Sequence, residues 1–537
     1  MTSVQVPDLT DIREGLSLRR QARILAVEWG RRHAASACLV VPLLVLVGAV
    51  HAIGMWNFPR WVDDPGTYLS QAWSFQYRHA LSPYSYIYDH APAGWIQLSL
   101  WSMLTNGFNR YDSAIGFGNE CMLLAKLASC TLLFALGRRL QFSRLGAAGA
   151  VLLFGLCPLE LMYSRWTFLD NLVTPWLLLS FVFAASPRRS ISAATGAALS
   201  FAMAALTKET ALVALPALIW AMAQNLDRRN RPQLVAVAGF SGLLLMAMYP
   251  LYAIYKGELV DRPGQNSLLG TAKWQLVERE SSGSLLDPGS PTAHMVGQWL
   301  GIDRWLLLAG LAAILIAVLA RRLRPAVLVL VIQWLVLVRG GYVPFMHVVN
   351  LMPWSALVIL GAVEIVAGNR RLAGGRRSGR PLPPLRVVAT GLATVCLAAV
   401  LIGAWVPALR PMLEARQEPP LWSATQWLAR NVPRDQVLVV HDSIWTDLVH
   451  HYGFDPQPII VYKLDTDPAV RERLRRIDYL VLPNWYYATP TGVANPTVSE
   501  AQKHAVVVAR FGSGDDGVRV YRVSRYWQPA RHADAGS

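Results

Sequence analysis

The chain has 537 residues, 53% of them hydrophobic and 16% charged, with a mean hydropathy of +0.31. These values exclude an ordinary soluble enzyme and describe a polytopic α-helical membrane protein. The formal net charge of +16 comes mainly from arginines between apolar blocks, so it reports topology; it suits contact with anionic lipid and predicts no nucleic-acid partner.

After a cytoplasmic amino-terminal segment, 1–33, a membrane domain is expected over 34–408. Its apolar blocks approach the ~20 residues that cross ~30 Å of hydrocarbon. About eleven spans are read: 34–56, 121–137, 145–162, 166–185, 191–206, 210–224, 234–255, 302–320, 326–338, 344–367 and 387–406. The first follows an arginine-rich stretch, as a signal peptide would, but its length and lack of a small-residue cleavage site make it a retained anchor. The ninth is short, and reads as tilted, extended into its flanks or partly inserted.

Arginines fall on one side of this pattern. Arg19, Arg20, Arg31 and Arg32 precede the first span; alternate links carry Arg138, Arg139 and Arg144, then Arg188 and Arg189, then Arg228, Arg229 and Arg231, then Arg321, Arg322 and Arg324. A flexible loop, 368–386, adds six more. The positive-inside rule places these links in the cytoplasm, and the loops 57–119 and 256–301 and everything after the last span outside. The five cysteines, Cys38, Cys121, Cys130, Cys157 and Cys396, all fall in expected spans with no metal or redox spacing, which predicts neither disulfides nor a zinc-thiolate site.

The first outer loop carries two amphipathic stretches, 67–75 and 94–101, expected to lie along the membrane surface as interfacial helices. It opens with Trp61-Val-Asp-Asp-Pro-Gly-Thr-Tyr68, and a proline-stiffened turn holds Asp89 and His90. From 414 to 527, short β-like runs alternate with polar stretches, predicting a small extracytoplasmic α/β domain, followed by a disordered tail, 528–537.

Charges cluster at the outer rim: Asp63, Asp64, Glu160, Arg165, Asp170, Lys208, Glu209, Arg339 and His347. Ionisable groups at membrane depth usually face a cavity or a partner, so a polar chamber roofed by the first outer loop is expected. Plainer roles compete at each position: a helix cap for Asp63-Asp64, an ion pair for Arg165 and Asp170, snorkelling for Lys208, packing for His347, a turn for Asp89-His90. His441-Asp442 follows a strand like a catalytic pair, but without a nucleophile beside it the structural role is favoured.

The order of these elements resembles the GT-C membrane glycosyltransferases, in particular the aminoarabinose transferases of lipid A and, more distantly, the protein O-mannosyltransferases. The resemblance rests on the acidic pair in the first outer loop, a charged residue before a proline turn in that loop, Arg165 and Asp170 opening the fourth span, and Thr207-Lys208 between the fifth and sixth. It implies an inverting transferase that moves a sugar from a polyprenyl-phosphate carrier to an acceptor hydroxyl on a glycan, lipid or protein at the outer face of the plasma membrane. Asp63 takes the place of the catalytic base and Asp64 that of the second acid. Asp170 matches the chamber wall, to which Tyr68 and Tyr342 are added. His90 stands where the family has a phosphate-binding lysine, and Ala91 where it has the first proline.

Charge building on a leaving phosphate calls for fixed cations, for which Lys208, Arg165, Arg339 and His90 are the candidates. Metal dependence stays open: Asp64, Asp89, His90 and His347 make an oxygen and nitrogen set without a recognised ligand spacing. A lipid or glycan transporter or flippase is the alternative, although it would place charges nearer mid-membrane and break spans in related halves. A scaffold whose tail domain binds cell-wall glycan is a further one.

Overall fold

A computed structural model describes residues 34–529 apart from 227–228, 230, 263–265, 370–371, 373–387, 389–390, 393–394, 397 and 489–494. The segment 1–33 and most of the 368–386 loop and the 528–537 tail therefore lie outside the described residues. The helices used below are α1 (Ala34–Ala52), α2 (Asp63–Arg78), α3 (Ala93–Thr105), α4 (Ala114–Arg139), α5 (Arg144–Leu156), α6 (Leu169–Ala184), α7 (Ile191–Thr207), α8 (Arg231–Lys256), α9 (Pro291–Ile302), α10 (Trp305–Ala317), α11 (Arg324–Val338), α12 (Met352–Val366), α13 (Pro420–Asn431) and α14 (Asp442–His450).

The first ten apolar blocks all coincide with helices, and the eleventh is helical where it is described. Among the described residues, four helical segments are by themselves long and apolar enough to cross a membrane: α1, α4, α8 and Phe345–Val366, in which a 3₁₀ turn leads into α12. A fifth results if α9 and α10, bent by 102° at their break, count as one span. The other blocks form shorter helices because the chain breaks inside them. Pro158 starts a new helical turn after α5, and the block at 210–224 begins as a 3₁₀ turn at Glu209–Ala214 before becoming α-helical at Leu215–Asn225. A hydropathy window averages over such breaks, which is why eleven uniform spans were expected.

Inside this bundle charge is buried only with a partner, since an unpaired ion in a low-dielectric interior costs several kcal/mol. Glu160, expected at the outer rim, pairs with Lys126 of α4 at 2.6 Å with both side chains almost fully buried. Lys126 also donates to the Phe154 carbonyl at the end of α5.

The carboxyl-terminal region forms a five-stranded sheet in the order β2-β1-β3-β5-β4, from β1 (Leu438–Val440), β2 (Ile459–Ile460), β3 (Tyr479–Pro483), β4 (Ala505–Phe511) and β5 (Val518–Val523). β1 runs parallel to β2 and β3, and β5 pairs antiparallel with β3 and β4. Side chains alternate between faces along a strand. Val439, Leu480, Leu482 and Tyr521 form a core on one face, and Leu438, Val440, Val481 and Val520 enter a second core with Tyr68, Leu69 and Trp73 of α2. The apolar run of β1 has this cause: both of its faces are covered, one of them by the first outer loop.

α2, expected to lie along the membrane surface, is packed between the bundle and this α/β domain, whereas α3 packs against α2 and the bundle helices and leaves Leu100, Met103 and Leu104 exposed. α2 crosses the start of α14 at Gly66, where a Cβ would overlap the Asp442 carbonyl carbon and the Ser443 nitrogen. The contact is tied by Ser443 Oγ donating to the Val62 carbonyl at 2.7 Å and by Thr67 donating to Asp442. Asp447 of α14 receives the Ala114 amide at 2.6 Å and the Ser113 hydroxyl at 2.7 Å, so a carboxylate from the α/β domain caps the amino-terminal end of α4. Trp56, Trp61 and Trp422 close the same seam, with ring centroids 5.1 and 5.5 Å apart around Trp56.

Gly66→Ala is expected to cost about 1–3 kcal/mol by overpacking against fixed backbone. Limited proteolysis should show faster cleavage in the 415–419 linker, with a lower melting temperature; unchanged protection would mean that the seam yields.

Candidate functional site

α2 begins at Asp63 with two carboxylates in its first turn, where the exposed amide ends of a helix favour negative charge. Neighbouring residues point about 100° apart around a helix, so the two acids face different surroundings. Asp63 turns outward, with 53% of its side chain exposed, and its Oδ1 lies 3.0 Å from Nε2 of the buried His441. His441 is the N-cap of α14: its Nδ1 accepts the Ser443 amide at 3.2 Å. With Nδ1 an acceptor, the neutral imidazole carries its proton on Nε2 and donates it to Asp63.

Asp64 is half-buried and turns inward. Burial pushes its carboxyl up to about 6, with Asp63 adding to the rise and Lys208 opposing it. Lys208, at the carboxyl-terminal cap of α7, forms a buried 2.6 Å ion pair with Asp170 at the start of α6, and Asn350 donates to the same carboxylate at 3.2 Å. Lys208 and Asp170 are thus brought together, so the ion pair weighed for Asp170 is made with Lys208, while Arg165 donates to carbonyls.

The proline turn of the first outer loop forms the next part of the wall. Glu209 holds it, with one oxygen 2.9 Å from His90 Nδ1 and the other accepting the Ala91 amide at 2.6 Å. Burial opposes protonation of His90 but Glu209 prevails, so its pKa lies above the ordinary histidine value. The Tyr86 and Tyr249 hydroxyls both donate to the His90 carbonyl. Tyr68 of α2 lies against His90, ring centroids 6.2 Å apart. Its hydroxyl titrates well above the usual range, first through burial and then through Asp64, Asp89, Asp170 and Glu209 around it.

Asp89 has a buried Oδ1 with no hydrogen-bond partner among the described residues. Facing it from the α/β domain is Lys463, buried between the rings of Tyr462 and Tyr84 at 5.1 and 5.9 Å. Burial lowers the Lys463 pKa, while Asp89, Asp467 and Asp442 act to raise it.

The remaining candidates are placed elsewhere. Arg165 is buried, and its guanidinium donates to the carbonyls of Val50, Ile53 and Phe58 at 2.7–3.1 Å, bolting the end of the first membrane segment to the loop that leads into α2. Arg339 is exposed at the end of α11. Tyr342 lies under the Arg279 guanidinium, 3.3 Å from its ring centroid, and His347 is buried with Nε2 3.2 Å from the Gln333 carbonyl. The set Asp64, Asp89, His90 and His347 does not converge: no group of three or more His, Cys, Asp or Glu side chains able to hold a metal is found among the described residues. His90 faces Glu209 and His347 faces a carbonyl, so these side chains do not fit a divalent ion.

Asp63 and Asp64 line a cleft of ≈ 640 Å³ between the bundle and the α/β domain. Tyr163, Trp166 and Phe345 form its bundle wall, and Pro483 and Trp485 its α/β wall. The acidic pair thus stands between an open, aromatic-walled cleft and an inner cluster of paired and unpaired charges. Spacing alone singles out neither His441 nor Lys463, which lie more than 350 residues downstream of the acids they face; the only sequence signal was the strand-ending His441-Asp442 dipeptide.

No family model and no curated protein matches the sequence. Among solved structures, archaeal oligosaccharyltransferase AglB from Archaeoglobus fulgidus, in complex with an inhibitory peptide and a dolichol-phosphate, is similar with a TM-score of 0.53 at 13% identity, covering 93% of this chain and 75% of that one. ArnT from Cupriavidus metallidurans is similar in the apo state, with a TM-score of 0.50 at 15% identity over 91% of this chain and 98% of that one. Its complex with undecaprenyl phosphate gives 0.51 at 13% identity over 90% and 97%. At such identities the likeness is one of fold: this membrane protein has the GT-C glycosyltransferase fold.

Proposed function

We propose that the protein is an inverting glycosyltransferase that moves a sugar from a polyprenyl-phosphate carrier to an acceptor hydroxyl, at the outer face of the plasma membrane. The observation that carries this reading is the Asp63 carboxylate, half exposed on an open cleft and oriented by a buried histidine, with Lys208, His90 and Lys463 behind it. The fold supports it, since solved structures of that fold hold dolichol-phosphate or undecaprenyl phosphate. The outer-face assignment is supported by the arginine-rich links, which the positive-inside rule assigns to the cytoplasm.

In this mechanism the acceptor enters through the aromatic-walled cleft and its hydroxyl meets the free Oδ2 of Asp63. Asp63 is the catalytic residue: it takes the hydroxyl proton as the acceptor oxygen bonds to the anomeric carbon. His441 is a positioning residue, holding Oδ1 so that Oδ2 faces the cleft. The bond from the anomeric carbon to the phosphate oxygen breaks in the same displacement, inverting the configuration, and its electron pair leaves on the lipid phosphate. Lys208 and His90 answer that charge, joined by Lys463 from the α/β domain. Asp64, Tyr68 and Asp170 form the wall on the donor side. The guanidinium of Arg165 is engaged by three carbonyls and braces the loop that carries Asp63. No step is routed through a metal.

Purified protein in lipid, offered a panel of polyprenyl-phosphate sugars, should release sugar from one donor. Asp63→Asn should lower that turnover by about 10²–10⁴-fold, the usual worth of a general base. Transfer unchanged by this variant would overturn the mechanism, and lipid movement that survives it would favour a transporter.

His441→Ala is expected to lower kcat with little change in donor KM, and His441→Gln, which restores a donor, to recover part of the loss. Equal losses in both would indicate a purely structural histidine.

The Asp64 carboxylate fills as pH passes about 6, because burial favours its acid form below that value. If the carboxylate is the working form, kcat/KM should rise with pH through about 6, and Asp64→Asn should remove that step from the pH profile.

A further inference from the structure

A second cavity lies at the opposite end of the bundle from the acidic pair. α4 starts beside Asp447 of the α/β domain and ends at Arg139. Its 26 residues span about 38 Å at 1.5 Å per residue, somewhat more than the ~30 Å hydrocarbon core.

At that far end a cavity of ≈ 450 Å³ is lined by Arg139, Arg189, Arg321 and Arg322, with no carboxylate among its lining residues. Leu136, Phe181 and Trp354, all buried, line it beside the arginines, and the last two meet edge to face with centroids 4.8 Å apart. The cationic rim is held in place. Arg139 donates to the Val182 carbonyl, and Asn225 donates to the carbonyls of Ala184 and Ser186 at 2.9 and 2.6 Å. These contacts fix the turn in which Arg189 takes a left-handed φ of 51°.

Four guanidiniums around one opening repel one another unless an anion sits between them, and the planar fork of arginine matches phosphate oxygens. Aromatic and aliphatic side chains beside arginines in one cavity suit an amphiphile whose anionic head meets the guanidiniums and whose chain lies against the rings. Scattered arginines that only set topology would not need to converge on a shared cavity.

We propose that this cavity binds the phosphate head of an anionic lipid, with the start of its chain against Phe181 and Trp354. The chemistry is shared by two sources, a bulk phospholipid diester and a polyprenyl phosphate monoester. The proposal stands independently of the reaction assigned to the acidic cleft.

The full-length protein in phosphatidylcholine nanodiscs would be exposed to photoactivatable phosphatidylglycerol, and the crosslinked peptides mapped by mass spectrometry. Labelling is expected in the segments holding Phe181 and Trp354. It should fall by on the order of tenfold in the Arg321→Gln/Arg322→Gln double variant, as expected for loss of charge-assisted hydrogen bonds, and should be unchanged in Asp63→Asn. These two arginines are exposed, so folding should survive, as a melting curve would verify. Competition by undecaprenyl phosphate well below the concentration of phosphatidylglycerol would identify the monoester as the source; equal competition by both would identify bulk phospholipid. Equal labelling by a phosphatidylcholine probe, insensitivity to the double variant, or full competition by inorganic phosphate at similar concentration would overturn the proposal.

Discussion

The arrangement of the site depends on one close approach of backbone to backbone. At Gly66 the first turns of α2 and α14 touch with no side chain between them. That contact lets a domain formed after residue 414 reach the acidic pair at the start of the first outer loop. Because the helices meet at their amino-terminal turns, the residues that cap and begin them share a small space: Asp63 and Thr67 on one side, His441, Asp442 and Ser443 on the other. A larger residue at 66 would hold His441 away from Asp63.

The same seam sets the electrostatics. Burial pushes both Asp442 and Asp447 up to about 7, although each accepts hydrogen bonds from the opposing loop or helix. The stability-linked sign follows from a folded pKa above the unfolded value. These two groups favour the docked state most at low pH, and their contribution weakens as pH rises from their ordinary carboxylate range through about 7. Asp447 is compensated by sitting at the amide end of α4, where a negative charge is favoured. Docking thus couples the α/β domain to the helix whose other end forms the arginine-rimmed cavity.

Inside the bundle the governing constraint is desolvation. Lys126 pairs with Glu160, and Lys208 with Asp170, because a lone buried charge would be too costly to retain. Arg165 solves the same problem differently, by donating to backbone carbonyls left open near the end of α1. Asp63, by contrast, is exposed to the cleft, and one oxygen of Asp89 has no hydrogen-bond partner among the described residues.

The membrane class, the helical blocks and the α/β nature of the carboxyl-terminal region were legible in the sequence, because they rest on local properties: hydropathy over a window and strand alternation. Asp170 and Lys208 were legible as charges on one rim, since both sit at the same end of consecutive spans, but their pairing was not. Tertiary structure alone decided that α2 is sandwiched, that Arg165 is a bolt, that His347 and Tyr342 face other partners, and that His441 meets Asp63. Each of those outcomes turns on contacts between segments far apart in the chain, made possible by a missing Cβ at Gly66 and shaped by the cost of burying charge, and neither condition leaves a periodic mark in the sequence.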